Sequence, residues 1–570
     1  MQRLTDYPKA DASMSTINVK VECDLPAIMR DGTILRANVF RPDTDGQFPT
    51  LLTRTPYNKS DLAKWVWSGL DPIATAAEGF VVIIQDVRGR FASGGEWVPF
   101  VFEGSDGADT IRWAASLPFS SGHVGMFSAS YCGNLQYLAA QERPSELAAI
   151  SPAMTWHDPY DGFLSRGGAV EWGLALRWSL ENGFDDIDRM AVPEDDRQGR
   201  RLALAREWDD LDTKGYWDLP VSEAPAIRRH DLTDLGIIRS LSDPDVANHC
   251  DVSNISESLR VPSLHTAGWY DIFQQGTLDN YERAAAAGRD ARLVIGPWSH
   301  QTFADPIGTR AFGMHAGRTE SNAFPEGDWS DYQLEWFRAY LGADTEVKDF
   351  GPPVRLFVMG ANVWREEQEW PLARAKTVSW FLHADGTLSP EKPVDEGHLE
   401  FVYDPRNPVP TCGGNGVLSP AHATGPLDQS TIEMRGDVLR FTSAPLAEEI
   451  EVTGPVRVTV HAASSAVSTD WVARLCDVFP DGRSINLCDG ILRVTKDAQT
   501  PNSHTIELWS TSNLFRKGHR LRVHVTSSSF PRWDRNLNTG DQSSTRMEVA
   551  KQSVRCGGAH PSFIDLPIIP

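Results

Sequence analysis

Ser130 lies where a serine side chain could become a nucleophile. An apolar run at residues 124–127 precedes it, and a helix-forming run follows it as far as Pro144. A strand, a tight turn and a helix in this order are typical of the strained bend that exposes a catalytic serine. The bend is expected to need small residues two before and two after the serine, because strand and helix backbones approach closely there. Gly133 is such a residue, whereas Ser128 stands where glycine is usual, so this motif alone is a weak signal.

Two residues farther along the chain could activate this serine. Asp271 follows the apolar segment 261–266, and His300 follows the apolar segment 292–296. A serine hydroxyl needs a neutral imidazole to accept its proton, and a carboxylate to hold that imidazole in the required tautomer. Each residue taken singly is more often structural. Because all three occur in the order serine, acid, histidine, each after an apolar strand, the sequence predicts a Ser–His–Asp triad.

The tetrahedral oxyanion of acyl transfer needs hydrogen-bond donors placed in advance. The backbone N–H of Tyr131, directly after the serine, is the first candidate. Tyr57 follows the apolar strand 49–53, and its hydroxyl is the second. The pattern alone fits a packing role for Tyr57 equally well. Cys132 is interpreted as a packing residue and not as a competing nucleophile.

The elements that must position these residues can be predicted in outline. Short apolar runs, such as 49–53 and 80–84, alternate with helix-forming runs, such as 106–116. Strands this apolar are usually covered on both faces, so we expect an α/β fold with a mostly parallel sheet. Residues 16–40 read as an antiparallel pair of strands ahead of it.

The pattern of apolar and polar residues along the chain changes twice more. The strand pattern stops between residues 152 and 248, which indicates an inserted helical cap. After about residue 351, strands with alternating apolar and polar residues predict an all-β sandwich of the jelly-roll type. The predicted parts are 1–151 and 249–352 for the α/β core, 152–248 for the cap and 353–570 for the jelly roll.

Composition limits the class of protein. The 54 basic and 77 acidic residues give a net charge of −23, which disfavours nucleic-acid and anionic-membrane partners. Seven scattered cysteines without a Cys-x-x-Cys pair argue against a disulfide framework and a structural zinc site. The first eight residues lack the apolar run of a signal peptide, and no apolar stretch reaches the roughly 18 residues of a membrane span. We therefore expect a soluble, cytoplasmic protein.

Motifs spread over nearly the whole chain resemble those of one family; they are Met29–Gly32, Arg54–Tyr57, Gln85–Gly95, Val124–Phe127, Ala267–Asp271, Gly296–His300, Asp477–Arg483 and Phe530–Gly540. The family is the cocaine esterase and X-Pro dipeptidyl-peptidase-like group of α/β-hydrolases, and the chain resembles its bacterial cocaine esterase branch most. This resemblance implies a hydrolase core, a helical cap and a jelly roll.

The resemblance also implies roles for individual residues. It assigns Ser130, Asp271 and His300 to the triad, and the Tyr57 hydroxyl with the Tyr131 amide to the oxyanion hole.

It further implies that Phe163, Trp178 and Phe273 form an aromatic pocket for the acyl group of the substrate.

The function expected from these observations is hydrolysis of carboxylic esters through an acyl-enzyme, without a metal or organic cofactor. An amidase or X-Pro dipeptidyl aminopeptidase on the same scaffold is the alternative. Outside the enzymes, a binding protein that uses the jelly roll stays open. The expected partner is a small ester or amide substrate, and a homodimer is compatible with the sequence.

Overall fold

The computed structural model describes residues 18–61, 69–319, 324, 327–342 and 349–570. The start of the predicted strand pair at Thr16 and the N-terminal stretch expected to lack a signal peptide lie outside these residues. Of the helices in the described ranges, none is both long and apolar enough to cross a membrane.

The first twelve strands belong mostly to one large sheet; in chain order they are β1 Val19–Ile28, β2 Ile34–Pro42, β3 Phe48–Thr55, β4 Val81–Asp86, β5 Ser120–Ala129, β6 Leu147–Ala153, β7 Ser165–Arg166, β8 Ala169–Val170, β9 Ser263–Tyr270, β10 Ala291–Ser299, β11 Val354–Val358 and β12 Val363–Glu367. Ten of them pair in the order β1-β2-β4-β3-β5-β6-β9-β10-β11-β12. The central strands from β4 to β11 are parallel, and the pairs at both ends are antiparallel.

Helices cover this sheet and build the insertion after β8. In the described ranges, the α-helices up to β11 are Pro72–Ala77, Glu103–Ala115, Tyr131–Gln141, Trp172–Arg189, Glu194–Asp209, Pro225–Arg229, Ile255–Ser258, Gln274–Ala286 and Trp329–Leu341, and the 3₁₀ turns are Gly215–Trp217, Val221–Glu223, Arg239–Leu241, Pro244–His249 and Met314–Ala316. A further short helix, Ser430–Glu433, lies between later strands. Strand β4 is buried along its whole length, as expected for a parallel strand with helices on both faces.

The remaining strands are antiparallel; they are β13 Lys376–Leu382, β14 Leu388–Ser389, β15 His398–Tyr403, β16 Leu439–Thr442, β17 Ile450–Ser464, β18 Thr469–Val478, β19 Ser484–Val494, β20 Asn502–Phe515, β21 Arg520–Thr526, β22 Ala550–Gly557, β23 His560–Pro561 and β24 Phe563–Ile569. They form an eight-stranded and a four-stranded sheet. Val456, Val458 and Val460 of β17 are fully buried, whereas Arg457 between them is exposed. The alternation predicted for this strand is confirmed, and so is the expected fold class.

The structure departs from the predicted organisation in two places. Strands β11 and β12 follow residue 353, where the prediction begins the jelly roll, yet they complete the first sheet beside β10. The segment 152–248 is not purely helical, because it contains the hairpin β7–β8. Ala169 of that hairpin packs in one apolar cluster with side chains of the antiparallel region. The exact domain boundaries stay predictions.

Buried charges join the hairpin region to the antiparallel sheets. Arg532 Nη1 lies 2.8 Å from Asp489 Oδ1, and Arg166 donates a hydrogen bond of 2.7 Å to the Asp489 carbonyl. Glu171 accepts a hydrogen bond of 2.8 Å from Trp533 Nε1. Burial raises the pKa of Glu171 to about 7, although the nearby Arg532 opposes the shift. Ionised Glu171 is therefore costly in the folded protein.

This shift predicts a pH-dependent change in stability. An acid whose pKa is higher in the folded than in the unfolded chain lowers the free energy of unfolding as pH rises between the two values, here 4.5 and about 7. Glu171→Gln can keep the bond to Trp533 and removes the ionisation. Its melting temperature, measured against the wild type from pH 4.5 to 8, should rise relative to the wild type as pH increases. The exposed Glu448→Gln variant is the control, and a constant difference for Glu171→Gln would contradict the prediction.

Candidate active site

Ser130 occupies the sharp turn between β5 and the helix Tyr131–Gln141. Its backbone has φ +62° and ψ −129°, a conformation that residues with a side chain seldom adopt. The Ser130 N–H donates to the carbonyls of Ala153 at 2.9 Å and Met154 at 3.2 Å. The end of the neighbouring strand β6 therefore holds the strained turn in place, as is common at functional sites.

The close approach of strand and helix falls at Gly133. A Cβ atom there would lie 2.9 Å from the Ala153 carbonyl oxygen and 3.1 Å from Thr155 Cβ, so only glycine fits without a shift. The expected position of this small residue, two after the serine, was wrong by one, because Gly133 is the third residue after Ser130 and Cys132 is the second. Burial raises the pKa of the Cys132 thiol to about 12. The thiol is therefore protonated at neutral pH and is a poor nucleophile.

Ser128 adopts the backbone conformation that explains why glycine is usual at its position. Its φ is +120°, where L residues are strained. Its carbonyl accepts a hydrogen bond of 3.0 Å from Gln136 Nε2, which belongs to the helix after the turn. The turn thus keeps its shape with serine in place of glycine.

The structure brings Asp271 and His300 to Ser130. Asp271 follows β9 and His300 follows β10, and these strands are parallel neighbours, so both residues emerge at the same edge of the sheet. His300 Nε2 lies 3.1 Å from Ser130 Oγ, and His300 Nδ1 lies 2.5 Å from Asp271 Oδ2. Asp271 is fully buried, and its Oδ1 accepts a hydrogen bond of 2.7 Å from the Phe273 N–H. This second bond fixes the carboxylate toward the imidazole.

Tyr57 and Tyr131 lie beside the Ser130–His300–Asp271 group, but their hydroxyls have different hydrogen-bond partners. The half-buried Tyr57 accepts a hydrogen bond of 2.9 Å on its hydroxyl oxygen from Trp178 Nε1. Burial raises the pKa of Tyr57, so its hydroxyl stays protonated and able to donate. The Tyr131 hydroxyl instead points into the core and donates to Glu103 Oε1 over 2.9 Å. The Tyr131 N–H is in the first helical turn, where no intrahelical carbonyl is available to accept it.

A cavity of about 350 Å³ opens beside Ser130 and His300. Tyr57 and Trp178 line it, as do residues that sequence reasoning did not identify; these are Leu174, Arg177, Glu181, Asn182, Gln301 and Val417. Four of the six lie on the cap helix Trp172–Arg189 at helical spacing around Trp178. That periodicity was visible in the sequence, whereas nothing local connects Val417, from the second half of the chain, to this site.

Phe163 and Phe273 are not among the described residues that line the cavity. Phe163 is fully buried and stacks on Trp156 with ring centroids 3.9 Å apart. Phe273 packs edge-on against the same Trp156 and against the His300 ring, at 5.0 and 5.3 Å. Of the three aromatic residues expected in the acyl pocket, only Trp178 has a wall position, because the other two fill the core behind it.

Within the described ranges, no group of three or more His, Cys, Asp or Glu side chains is arranged to hold a metal ion.

The strain at Ser128 leads to a stability prediction. Ser128→Gly should raise the free energy of unfolding by about 1 kcal/mol, because the relief of strain exceeds the extra freedom that glycine gives the unfolded chain. Denaturant titration measures the change. Ser128→Ala, which lacks the hydroxyl but keeps the strain, is the control and should not be stabilised. A Gly variant no more stable than the Ala variant would show that the turn is not strained.

Comparison with known families places this geometry in context. The X-Pro dipeptidyl-peptidase (S15 family) model matches residues 31–302, and the X-Pro dipeptidyl-peptidase C-terminal non-catalytic domain model matches residues 346–565. The cocaine esterase of Rhodococcus sp. (strain MB1 Bresler) is 36% identical over 582 aligned positions, which cover 97% of this chain and 99% of the relative.

Solved structures share the fold over the full length. An aminopeptidase from a marine sediment Thaumarchaeota archaeon superposes with a TM-score of 0.79 at 22% identity, covering 99% of each chain. An α-amino acid ester hydrolase superposes with a TM-score of 0.74 at 22% identity, covering 100% of each chain. The chain belongs to the cocaine esterase and X-Pro dipeptidyl-peptidase (S15) family of α/β-hydrolases and is a serine ester hydrolase.

Proposed function

We propose that Ser130 is the nucleophile of this serine esterase and that His300 and Asp271 activate it. The observation that carries the proposal is the chain of two hydrogen bonds, 3.1 Å from Ser130 Oγ to His300 Nε2 and 2.5 Å from His300 Nδ1 to Asp271 Oδ2. An imidazole in this position can take the hydroxyl proton on one nitrogen while the carboxylate stabilises the resulting charge through the other.

The proposed reaction has two halves. Ser130 Oγ attacks the ester carbonyl carbon while its proton moves to His300 Nε2, and His300 then gives that proton to the leaving alcohol oxygen. An acyl group remains on Ser130. Water attacks the acyl carbon and loses a proton to His300; the carboxylic acid leaves as Ser130 Oγ takes this proton back.

We assign two donors to the negative oxygen of each tetrahedral intermediate, the Tyr131 N–H and the Tyr57 O–H. The position of Tyr131 directly after Ser130 and the place of Tyr57 in the same cavity wall support this assignment. In related chemistry one such donor is worth roughly 10²- to 10³-fold in rate.

The substrate class we propose is small carboxylic esters with an apolar or aryl acyl group. Leu174, Trp178 and Val417 contribute apolar surface to the cavity beside Ser130. The family relationship to a protein named cocaine esterase supports esters in general and does not identify the natural substrate.

An amidase or X-Pro dipeptidyl aminopeptidase is the second candidate, because the family model that matches is that of X-Pro dipeptidyl-peptidases. A peptidase of this kind needs an acidic anchor for the free amine of its substrate. Glu181 lines the cavity, but Arg177 Nε lies 3.6 Å from its carboxylate and offsets the charge. Ester hydrolysis is therefore the better-supported reaction.

Removing either the nucleophile or the base tests the proposal. Ser130→Ala and His300→Ala should each lower kcat/KM for p-nitrophenyl esters by roughly 10⁴-fold or more, with an unchanged circular dichroism spectrum. A fluorophosphonate probe should label wild-type Ser130, as located by peptide mapping. An active Ser130→Ala variant would overturn the assignment, and absence of both labelling and turnover would favour a non-catalytic binding protein.

The chain offers a matched control for this experiment. Ser419, Asp212 and His422 form a second serine–aspartate–histidine group. There the serine hydroxyl donates to the carboxylate at 2.6 Å, and His422 Nε2 lies 3.0 Å from an oxygen of the same carboxylate. Because no imidazole accepts the Ser419 proton, Ser419→Ala and His422→Ala should keep most of the turnover. Faster hydrolysis of Pro-p-nitroanilides than of p-nitrophenyl esters by the wild type would favour the peptidase.

We propose the cytoplasm as the compartment of this protein. All seven cysteines are free thiols, and five of them are buried, as is usual in a reducing environment. The expectations of a homodimer and of no nucleic-acid or membrane partner stay predictions.

A further inference from the structure

The hydrogen bond between Trp178 and Tyr57 has only one possible direction. The indole N–H is a donor and never an acceptor, so at 2.9 Å the Tyr57 oxygen must accept. Within the described part of the chain, this is the only hydrogen bond recorded for the Tyr57 hydroxyl. The Tyr57 O–H is therefore available to donate a hydrogen bond to a group that enters the cavity.

Packing holds this bond in place. Trp178 is only 8% exposed, and its ring lies nearly parallel to that of Tyr131, with centroids 6.5 Å apart and an angle of 15°. Trp97 covers it from another side at 5.5 Å. Tyr57 meets both the Trp178 and the Tyr131 rings edge-on, at 6.3 and 6.4 Å. Neither partner of the hydrogen bond can turn away without displacing this aromatic cluster.

We propose that Trp178 is a positioning residue of the oxyanion hole, which orients the Tyr57 O–H toward the ester oxygen through its indole N–H. By occupying one lone pair of the phenolic oxygen, the N–H restricts rotation of the hydroxyl. A hydroxyl that accepts a hydrogen bond is also a stronger donor, because bonds in a chain polarise one another. The inference rests on the proposed function and goes beyond it, since Trp178 lines the acyl cavity and is otherwise explained as a wall residue.

The two roles of Trp178 make different kinetic predictions. A donor that acts through the oxyanion affects the transition state, so its loss lowers kcat for every ester by a similar factor and leaves KM nearly unchanged. A wall residue contacts the acyl group, so its loss changes KM and does so differently for small and large acyl groups.

The test is a double-mutant cycle on the full-length enzyme with p-nitrophenyl acetate, butyrate and benzoate. Trp178→Phe removes the N–H and keeps an aromatic ring. We expect Tyr57→Phe to lower kcat by roughly 10²-fold and Trp178→Phe by roughly tenfold, alike for the three esters. In the Tyr57→Phe background, Trp178→Phe should change kcat by less than about twofold, since contacting residues that act through one bond are not additive.

Trp97→Phe is the matched control. Trp97 belongs to the same aromatic cluster, but its N–H faces the Tyr131 hydroxyl at 3.4 Å and not Tyr57. The Trp97→Phe variant should therefore keep kcat within about threefold of the wild-type value, because it leaves the hydrogen bond to Tyr57 in place.

The proposal is overturned if Trp178→Phe lowers kcat by the same factor with and without the Tyr57 hydroxyl, or if it changes only KM in an acyl-dependent way. Either result leaves the assignment of Ser130 intact, because that assignment depends on Ser130→Ala and on the probe. An inactive Ser130→Ala variant together with independent effects of Trp178 and Tyr57 would thus refute this inference alone.

Discussion

The imidazole of His300 makes hydrogen bonds in two directions, and the rest of the site depends on the geometry that allows both. Its Nε2 lies 3.1 Å from Ser130 Oγ, and its Nδ1 lies 2.5 Å from Asp271 Oδ2. Such an arrangement requires three loops to end at one edge of a sheet. The parallel order β5-β6-β9-β10 supplies that edge, because parallel strands deliver their carboxyl ends to the same side.

The core sheet does not complete the site alone. The cap helix Trp172–Arg189 provides five of the residues that line the cavity, and Val417 adds a side chain from the second half of the chain. Arg177 of the cap helix also donates a hydrogen bond of 2.5 Å to the Leu418 carbonyl beside Val417. The buried group of Arg166, Asp489 and Arg532 fixes the hairpin β7–β8 against the antiparallel sheets. The cavity is therefore assembled from segments far apart in sequence.

The site residues that could be predicted from the sequence are those that a local pattern determines. Asp271 and His300 each follow an apolar strand, and the chain order of the reactive residues is fixed by the fold class, so both were identifiable. The face of the cap helix around Trp178 follows a helical period and was equally accessible. Val417 and the buried position of Phe163 depend on packing between distant segments, and no short window of sequence contains that information. The positive φ of Ser128 is indicated only by its place in the motif, where glycine is usual, because serine as a residue type does not signal that conformation.

The cap helix has a consequence for how enzymes of this architecture can diverge. Substitutions at Leu174 or Glu181 would reshape the cavity wall without touching the groups that hold the reacting oxygen, so selectivity for new acyl groups can drift there at little catalytic cost. Trp178 lies on the same helical face but is bonded to Tyr57. A substitution of Trp178 would therefore change both the acyl groups that the enzyme accepts and its turnover rate. Trp178 is thus more constrained in evolution than Leu174 or Glu181 on the same helix.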